Sequence, residues 1–405
     1  MSDAPNESGL AARLEPGRRR ALVAGCAGLV VCALCALLSH SLRVQFFRWY
    51  LWAFIDWLGV ALGCLVVLMI QHLTGGAWGL ALRRLLEAAT RTLPVLAALF
   101  LPLAFGIRDT YPWANPEVLA SDPELREQPK LEYYLRPDLF LWRVPVYFAV
   151  WIGLGYLLNR WSRLQSIAGS TEPGRHFRLL SAPGIGLYGL TITFASIDWV
   201  MSLEPKWYST IYGPMFAIGQ VNAGFSFVLM AALLLRYEPP LDKLLSRPVM
   251  RDCGNLLLAF IMVWAYLSFS QFLLIWSGNL PEEVTWYLVR SEGAWLWVAV
   301  ALAVFHFAVP FALLLSRDTK SDPMRLARVA CLVLCMEAVN VLWLIMPSFA
   351  AHDGETSPSE FGVGALVLGT AAQLGVGGTW LAVFLWQLGR QPLELTAFEE
   401  AASHG

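Results

Sequence analysis

Residues 49–71 read WYLWAFIDWLGVALGCLVVLMIQ, an apolar run whose one formal charge is Asp56. As a helix it would extend roughly 34 Å at about 1.5 Å per residue, and a bilayer's hydrocarbon core is about 30 Å thick. Nothing alternates at period two, as the strands of a membrane barrel would. Nine further segments read the same way: 21–40, 92–107, 139–158, 179–203, 211–235, 254–276, 293–316, 326–347 and 361–388. The segment at 92–107 is short, but it continues an amphipathic run that starts near Trp78. The composition agrees. AVILMFWYC make up 57% of the 405 residues and DEKR 15%, against about 25% charged in a soluble domain. Mean hydropathy is +0.55. The length would suit two or three soluble domains, but this composition excludes a soluble enzyme, a disordered chain and a disulfide scaffold. A net charge of −1 offers nothing to nucleic acid. The reading is an all-α membrane protein with about ten transmembrane helices.

Lys and Arg set the orientation. With the first residues inside, the inner segments hold 20 of the 29 and the outer ones 8, and Arg143 lies within the fourth span. Only the 72–91 connection falls short of its outer neighbour, by one. Both termini are therefore expected in the cytoplasm, as tails over 1–20 and 389–405 of a multi-pass chain. Val23-Ala24-Gly25-Cys26 fits a lipoprotein box, but no apolar stretch precedes it, so 21–40 is read as a retained membrane helix. The long outer connection, 107–138, carries Tyr111, Trp113, Tyr133 and Tyr134. It is either a docking element for a partner or an interfacial aromatic belt.

Redox ligands are scarce. The seven Cys include a C-x-x-C at Cys32 and Cys35, buried in an apolar helix with no charge beside it, where thiols are usually inert. No haem-attachment or iron–sulfur spacing occurs. His72 and His306 are the only histidines placed for a membrane haem, and their depths differ by roughly 15 Å. No cofactor is expected on this chain. The phosphate-binding glycine patterns are also missing. Gly75-Gly76, Gly375-x-Gly377-Gly378 and the spacings Ala365/Gly369 and Ala371/Gly375 read as close helix packing.

Ionisable groups inside spans are costly and therefore informative. They are Asp56, Arg143, Asp198, His306 and Glu337. Glu87 and Arg91, at the inner start of the third helix, have the spacing of an i,i+4 ion pair. By depth, Asp56, Arg143 and Asp198 share the outer leaflet. They are either a buried Asp–Arg–Asp brace or a proton-exchanging or quinone-headgroup site. Gln220, Asn222, Gln271, His306, Glu337 and Asn340 lie near mid-membrane, where His306 and Glu337 are candidates for a deeper relay.

The most distinctive stretch is DWVMSLEPKWYSTIYG, residues 198–213. Pro205 is expected to stop the fifth helix and Ser209 or Thr210 to cap the sixth. Trp199, Trp207, Tyr208 and Tyr212 suit a membrane boundary, with Lys206 as counter-ion to Asp198 and Glu204, two carboxylates that with Asp56 are candidates for a proton path near the outer face. This stretch, residues 54–113, and YLLNRWS at 156–162 closely resemble the NrfD-like (polysulfide-reductase-membrane-subunit-like) subunits of bacterial alternative complex III, a quinol:cytochrome c oxidoreductase.

The resemblance implies two four-helix bundles, 49–203 and 211–347, flanked by the helices at 21–40 and 361–388. It also implies a respiratory electron-transport complex in the bacterial inner membrane, this chain being multi-pass there. The partners would be a multihaem cytochrome c, an iron–sulfur protein, a monohaem cytochrome c, small membrane anchors and a second NrfD-like subunit better placed to oxidise quinol. Quinol then belongs to the complex as a whole, and this chain's part is scaffolding and proton conduction. Two other readings stay open: a stand-alone proton-coupled secondary transporter, and a purely structural anchor.

Overall fold

The computed structural model describes residues 7–167, 174–353 and 362–390. Among these the protein is all helix, with no strand. Ten helices are long and apolar enough to cross a membrane, which makes it a multi-pass membrane protein. They are Glu7–Leu38, His40–Thr74, Ala77–Phe105, Pro137–Ile167, Arg175–Trp199, Tyr212–Leu234, Arg247–Gly278, Gly293–Leu315, Pro323–Asp353 and Val363–Gly389. Helices satisfy every backbone polar group internally, which hydrocarbon demands.

The second helix is the buried axis. Of its most apolar window 89% lies inside the protein, against 22% for the first, seventh and eighth helices. It packs most extensively against the sixth helix. There a Cβ on Gly63 would collide with the backbone of Gln220 and Gly224, and the Cys64 thiol donates to the Gly224 carbonyl at 3.5 Å. Close backbone approach of this kind is how helices gain dispersion energy in lipid. The first and tenth helices are joined the same way, Gly25 against Gly378 and Gly28 against Gly375. Gly75-Gly76 are not packing residues. With φ of 68° and 99° they make the turn that ends the second helix, a backbone conformation costly for any residue with a Cβ.

The first helix starts at Glu7 rather than near 21, so the expected 1–20 tail is largely helical. Leu10 and Leu14 pack against the core, and Arg13 pairs with Glu238 at 2.6 Å. The tail expected over 389–405 lies outside the described residues from 391 onward. The third helix breaks into Ala77–Thr90, Leu93–Leu99 and Leu101–Phe105, with Pro94 and Pro102 opening the later pieces.

Residues 107–138 form no open loop. Pro112, Pro116, Pro123 and Pro129 each begin a short helical turn, the position where a missing N–H costs least. Asn115 and Asp122 cap two of them through Glu117 N and Leu125 N. Tyr111, Trp113, Leu125 and Leu135 are buried. The 198–213 stretch also differs from expectation. The fifth helix ends at Trp199, before Pro205, and a 3-10 turn follows over Met201–Leu203. The sixth helix has Ile211 at its N-cap with no side-chain cap. Ser209 instead accepts from Ile211 N at 3.3 Å and donates to Gln271 Oε1 at 2.7 Å.

Candidate functional site

Most of the buried charges among the described residues fall into four groups. On the long-loop face, the fully buried Asp198 carboxylate receives a two-pronged grip from Arg143, Nε to Oδ2 and Nη2 to Oδ1, each 2.8 Å. Tyr147 Oη donates to Oδ2 at 2.6 Å. The guanidinium also reaches the Tyr134 carbonyl at 3.2 Å and lies 4.1 Å from that ring's centre. Such a fork is a strong, oriented interaction. It braces the ends of the fourth and fifth helices, and the geometry favours the structural reading of this carboxylate. Tyr111 Oη donates to the Trp199 carbonyl at 3.1 Å, and burial, then Asp198, pushes its phenol well above the usual range.

The second group was only half legible. Glu204 does not pair with Lys206. Its partner is Arg290 at 2.8 Å, a side chain with no solvent exposure. Ser348 Oγ donates to the same carboxylate oxygen at 2.6 Å. Arg290 donates further to Ser348 Oγ and to the carbonyls of Trp286, Trp343 and Leu344, and lies 3.7 Å over the Trp286 ring. Lys206 turns away to Glu124 at 2.6 Å and Asp122 at 3.2 Å. Burial alone would lower its ammonium, but the bonds to Glu124 and Asp122 raise it above the ordinary lysine value. Lys130 adds contacts to the Pro205 and Trp207 carbonyls, both 3.3 Å. The 107–138 segment thereby clamps the 204–208 turn. The aromatic residues of this stretch are core rather than belt: Trp199, Trp207 and Tyr212 are buried, and only Tyr208 is exposed. Trp207 stacks on Trp286 with centroids 4.8 Å apart.

The third group surrounds Glu87. Arg83 and Arg84 each hold it at 3.0 Å, and the expected partner Arg91 stands off at 3.8 Å. Ser162 also donates to it. Arg91 is turned by Asn159, whose Oδ1 accepts from Nε at 2.8 Å. This is a packed ion cluster at the junction of the third and fourth helices.

The fourth group lies in the protein's middle and is the candidate functional site. His306 sits in a π-helical stretch, Leu302–Ala308, inside the eighth helix. Such an insertion widens the turn and often marks function. Its Nε2 lies 3.2 Å from Glu337 Oε2, close enough for proton transfer but not aligned as a hydrogen bond. The imidazole packs on Trp264 with ring centres 4.1 Å apart. The other Glu337 oxygen accepts from Asn340 at 2.9 Å. Gly219 makes room for it, since a Cβ there would strike Glu337 Oε1.

Asp56 belongs to this group and not to Arg143. The reason is rotational: its face of the second helix carries Gly59 and Gly63 and turns to the sixth helix. Asp56 and Glu337 line one cavity of about 10 Å³ with Gln220 and Asn340, room for about one water molecule. Gln373 Nε2 donates to Asp56 at 3.2 Å, and Gln373 Oε1 accepts from Trp57 at 2.7 Å. Tyr188 donates to Gln220 Oε1 at 2.8 Å. Several buried polar atoms here have no hydrogen-bond partner among the described residues: Gln220 Nε2, both Asn222 side-chain atoms, Ser226 Oγ, both His306 nitrogens and Glu337 Oε2. Buried polar atoms are nearly always paired, so a run of orphans on three helices points to a hydrated or proton-carrying interior.

Asn340 also borders a groove of about 770 Å³ between the seventh, eighth and ninth helices. Its rim is exposed and apolar, including Tyr266, Phe269 and Val300, and Arg290 closes it toward the long-loop face. Sequence reasoning found Asp56, His306, Glu337, Gln220 and Asn340. It missed Gln373, Arg290 and the π turn. Among the described residues no three His, Cys, Asp or Glu side chains gather to hold a metal ion. No protein-family model matches this chain, and a search of curated proteins returns no similar sequence.

Proposed function

We propose that this protein is an ActF-like, NrfD-like membrane subunit of a bacterial quinol:cytochrome c oxidoreductase complex of the alternative complex III type, where it scaffolds and conducts protons while a sister subunit oxidises quinol. The assignment to that family rests on the sequence resemblance at 54–113, 156–162 and 196–213. One observation carries the proton role. Glu337 touches His306 on one side and faces Asp56 across a water-sized cavity on the other. Two carboxylates and an imidazole, with Asn340 and Gln220 lining the cavity between the carboxylates, give a chain of exchangeable sites in hydrocarbon, where ionisable groups mark proton relays. The Asp198 and Glu204 carboxylates are each closed by an arginine and serve the scaffold. The partners proposed with this role are the multihaem and monohaem cytochromes c, the iron–sulfur protein, the small anchors and the second NrfD-like subunit.

Glu337→Gln and Asp56→Asn in the purified complex, reconstituted into vesicles, test the reading with electron transfer and proton release followed together. The expected result is an intact complex whose proton release per electron falls. An assembled complex with unchanged stoichiometry in both variants refutes it and leaves a structural anchor. Proton uptake by the isolated subunit, driven by a solute gradient, would point instead to a secondary transporter. The 770 Å³ groove favours one further possibility, a quinol ring held against Asn340. A photoreactive quinone analogue should then label the seventh or ninth helix.

A further inference from the structure

A second cavity lies away from Asp56 and Glu337, between the break in the third helix near Thr90, the second half of the fourth helix and the end of the tenth. Its volume is about 390 Å³, within the range of small-molecule sites. Among the described residues three guanidinium groups line it, from Arg91, Arg163 and Arg390, and no carboxylate does. Glu87, held by Arg83 and Arg84 at 3.0 Å, also lies 3.8 Å from Arg91. Among the described residues neither Arg163 nor Arg390 has an ion-pair partner; both are exposed, and Arg390 rests on the Trp386 ring at 3.8 Å.

The cavity is polar at one end and apolar at the other. Arg163 and Arg390 stand where the fourth and tenth helices finish. Ile152, on the same wall, is 11 residues up the fourth helix from Arg163, roughly 16 Å away at about 1.5 Å per residue. Pro94 and Gly155 line it beside Ile152. At Gly155 the fourth helix comes close to the third, with Thr90 3.6 Å from where a Cβ would sit. Asn159 holds Arg91 in place along the wall. A basic mouth over an apolar shaft, in a protein with ten helices fit to cross a membrane, matches one chemistry.

We propose that this cavity binds an anionic glycerophospholipid, its phosphate among Arg91, Arg163 and Arg390 and an acyl chain along Ile152 and Pro94. Basic pockets between helices select such headgroups, and a guanidinium fork fits a phosphate oxygen pair better than an ammonium does. A zwitterionic lipid would bring its own cation into a site that already carries three. The proposal does not depend on the proton reading.

The full chain, purified in a neutral detergent and stripped of lipid, is titrated with phosphatidylglycerol and with phosphatidylcholine and read by native mass spectrometry. One phosphatidylglycerol should bind saturably and outcompete phosphatidylcholine. Arg163→Gln/Arg390→Gln should bind it about 30-fold more weakly, since each basic group near a membrane surface is worth about fivefold. Arg163→Lys/Arg390→Lys should recover much of that, which separates charge from folding. Equal binding of the two lipids overturns the proposal, as does unchanged binding by the double glutamine variant. Displacement of the lipid by millimolar inorganic phosphate would show a free-anion site and also overturn it. So would binding that develops only after residues 391–405 are deleted, because that acidic segment would then be the cavity's occupant.

Discussion

Arg290→Met should be among the most damaging single changes on the long-loop face. Arg290 is fully buried and makes five hydrogen bonds, to Glu204, Ser348 and the carbonyls of Trp286, Trp343 and Leu344. Methionine fills much of the volume but leaves Glu204 charged, 14% exposed and without its cation. Breaking one side of a buried pair costs about 3–5 kcal/mol. Lys206→Met removes a half-exposed ammonium, 41% exposed, from Glu124 and Asp122, a class of pair worth about 0–1 kcal/mol. The two should therefore differ by about 3 kcal/mol. The assay is unfolding of the purified protein in mild detergent, followed by tryptophan emission, because Trp207, Trp286 and Trp343 surround the site. Glu204→Gln in the Arg290→Met background should restore part of the loss, since it removes the stranded charge. If Lys206→Met costs as much as Arg290→Met, or if the double variant shows no coupling, Glu204 does not depend on Arg290 and the pairing described above is wrong.

Asp198→Asn should destabilise by about 3–5 kcal/mol by stranding Arg143, and the yield of assembled protein should fall before any proton phenotype can be read. Gly219→Ala pushes a methyl at Glu337 Oε1; a loss of about 1–3 kcal/mol is expected from overpacking, with reduced proton release as for Glu337→Gln. Gly28→Leu should part the first helix from the tenth, seen as new protease cuts between the first two helices. The Lys206 contact has a defined pH window. A lysine raised in the folded state stabilises fully below its unfolded value of about 10.4 and loses that contribution as pH climbs through the folded value. Unfolding midpoints should therefore show no Lys206 dependence on pH between about 6 and 9, and a difference between wild type and Lys206→Met that shrinks above about 10.5.

The spans were legible because length and hydropathy are one-dimensional properties. Each of the ten segments read from sequence has its helix. What depth counting could not supply was rotation about each helix axis. Asp56 and Asp198 were grouped because they lie at similar heights, yet they face different neighbours. A signal was present: Gly59 and Gly63 follow Asp56 at i+3 and i+7, on its face, and small residues four apart mark a helix contact. Lys206 was given to Glu204 by proximity in sequence, whereas the true cation, Arg290, is 86 positions away. No local pattern announces such a pair. The same holds for the π turn at His306, whose surrounding residues are ordinary apolar ones. The aromatic stretch at 199–212 misled because tryptophan serves an interface and a core equally well.

The glycine seam between the first and tenth helices has a consequence for biogenesis. Gly25 and Gly28 meet Gly378 and Gly375, which are synthesised about 350 residues later, roughly 17–70 s at translation rates of about 5–20 residues per second. For that interval the earliest helix waits in the bilayer with its narrow glycine face against acyl chains, its chief neighbour not yet made. The insertion machinery must hold or tolerate an unpaired hairpin, and any ribosomal stall in the second half of the message prolongs the exposure. The seam thus closes only once the tenth helix has been made, and a chain truncated before that helix should be open to membrane quality-control proteases at Glu7–Leu38.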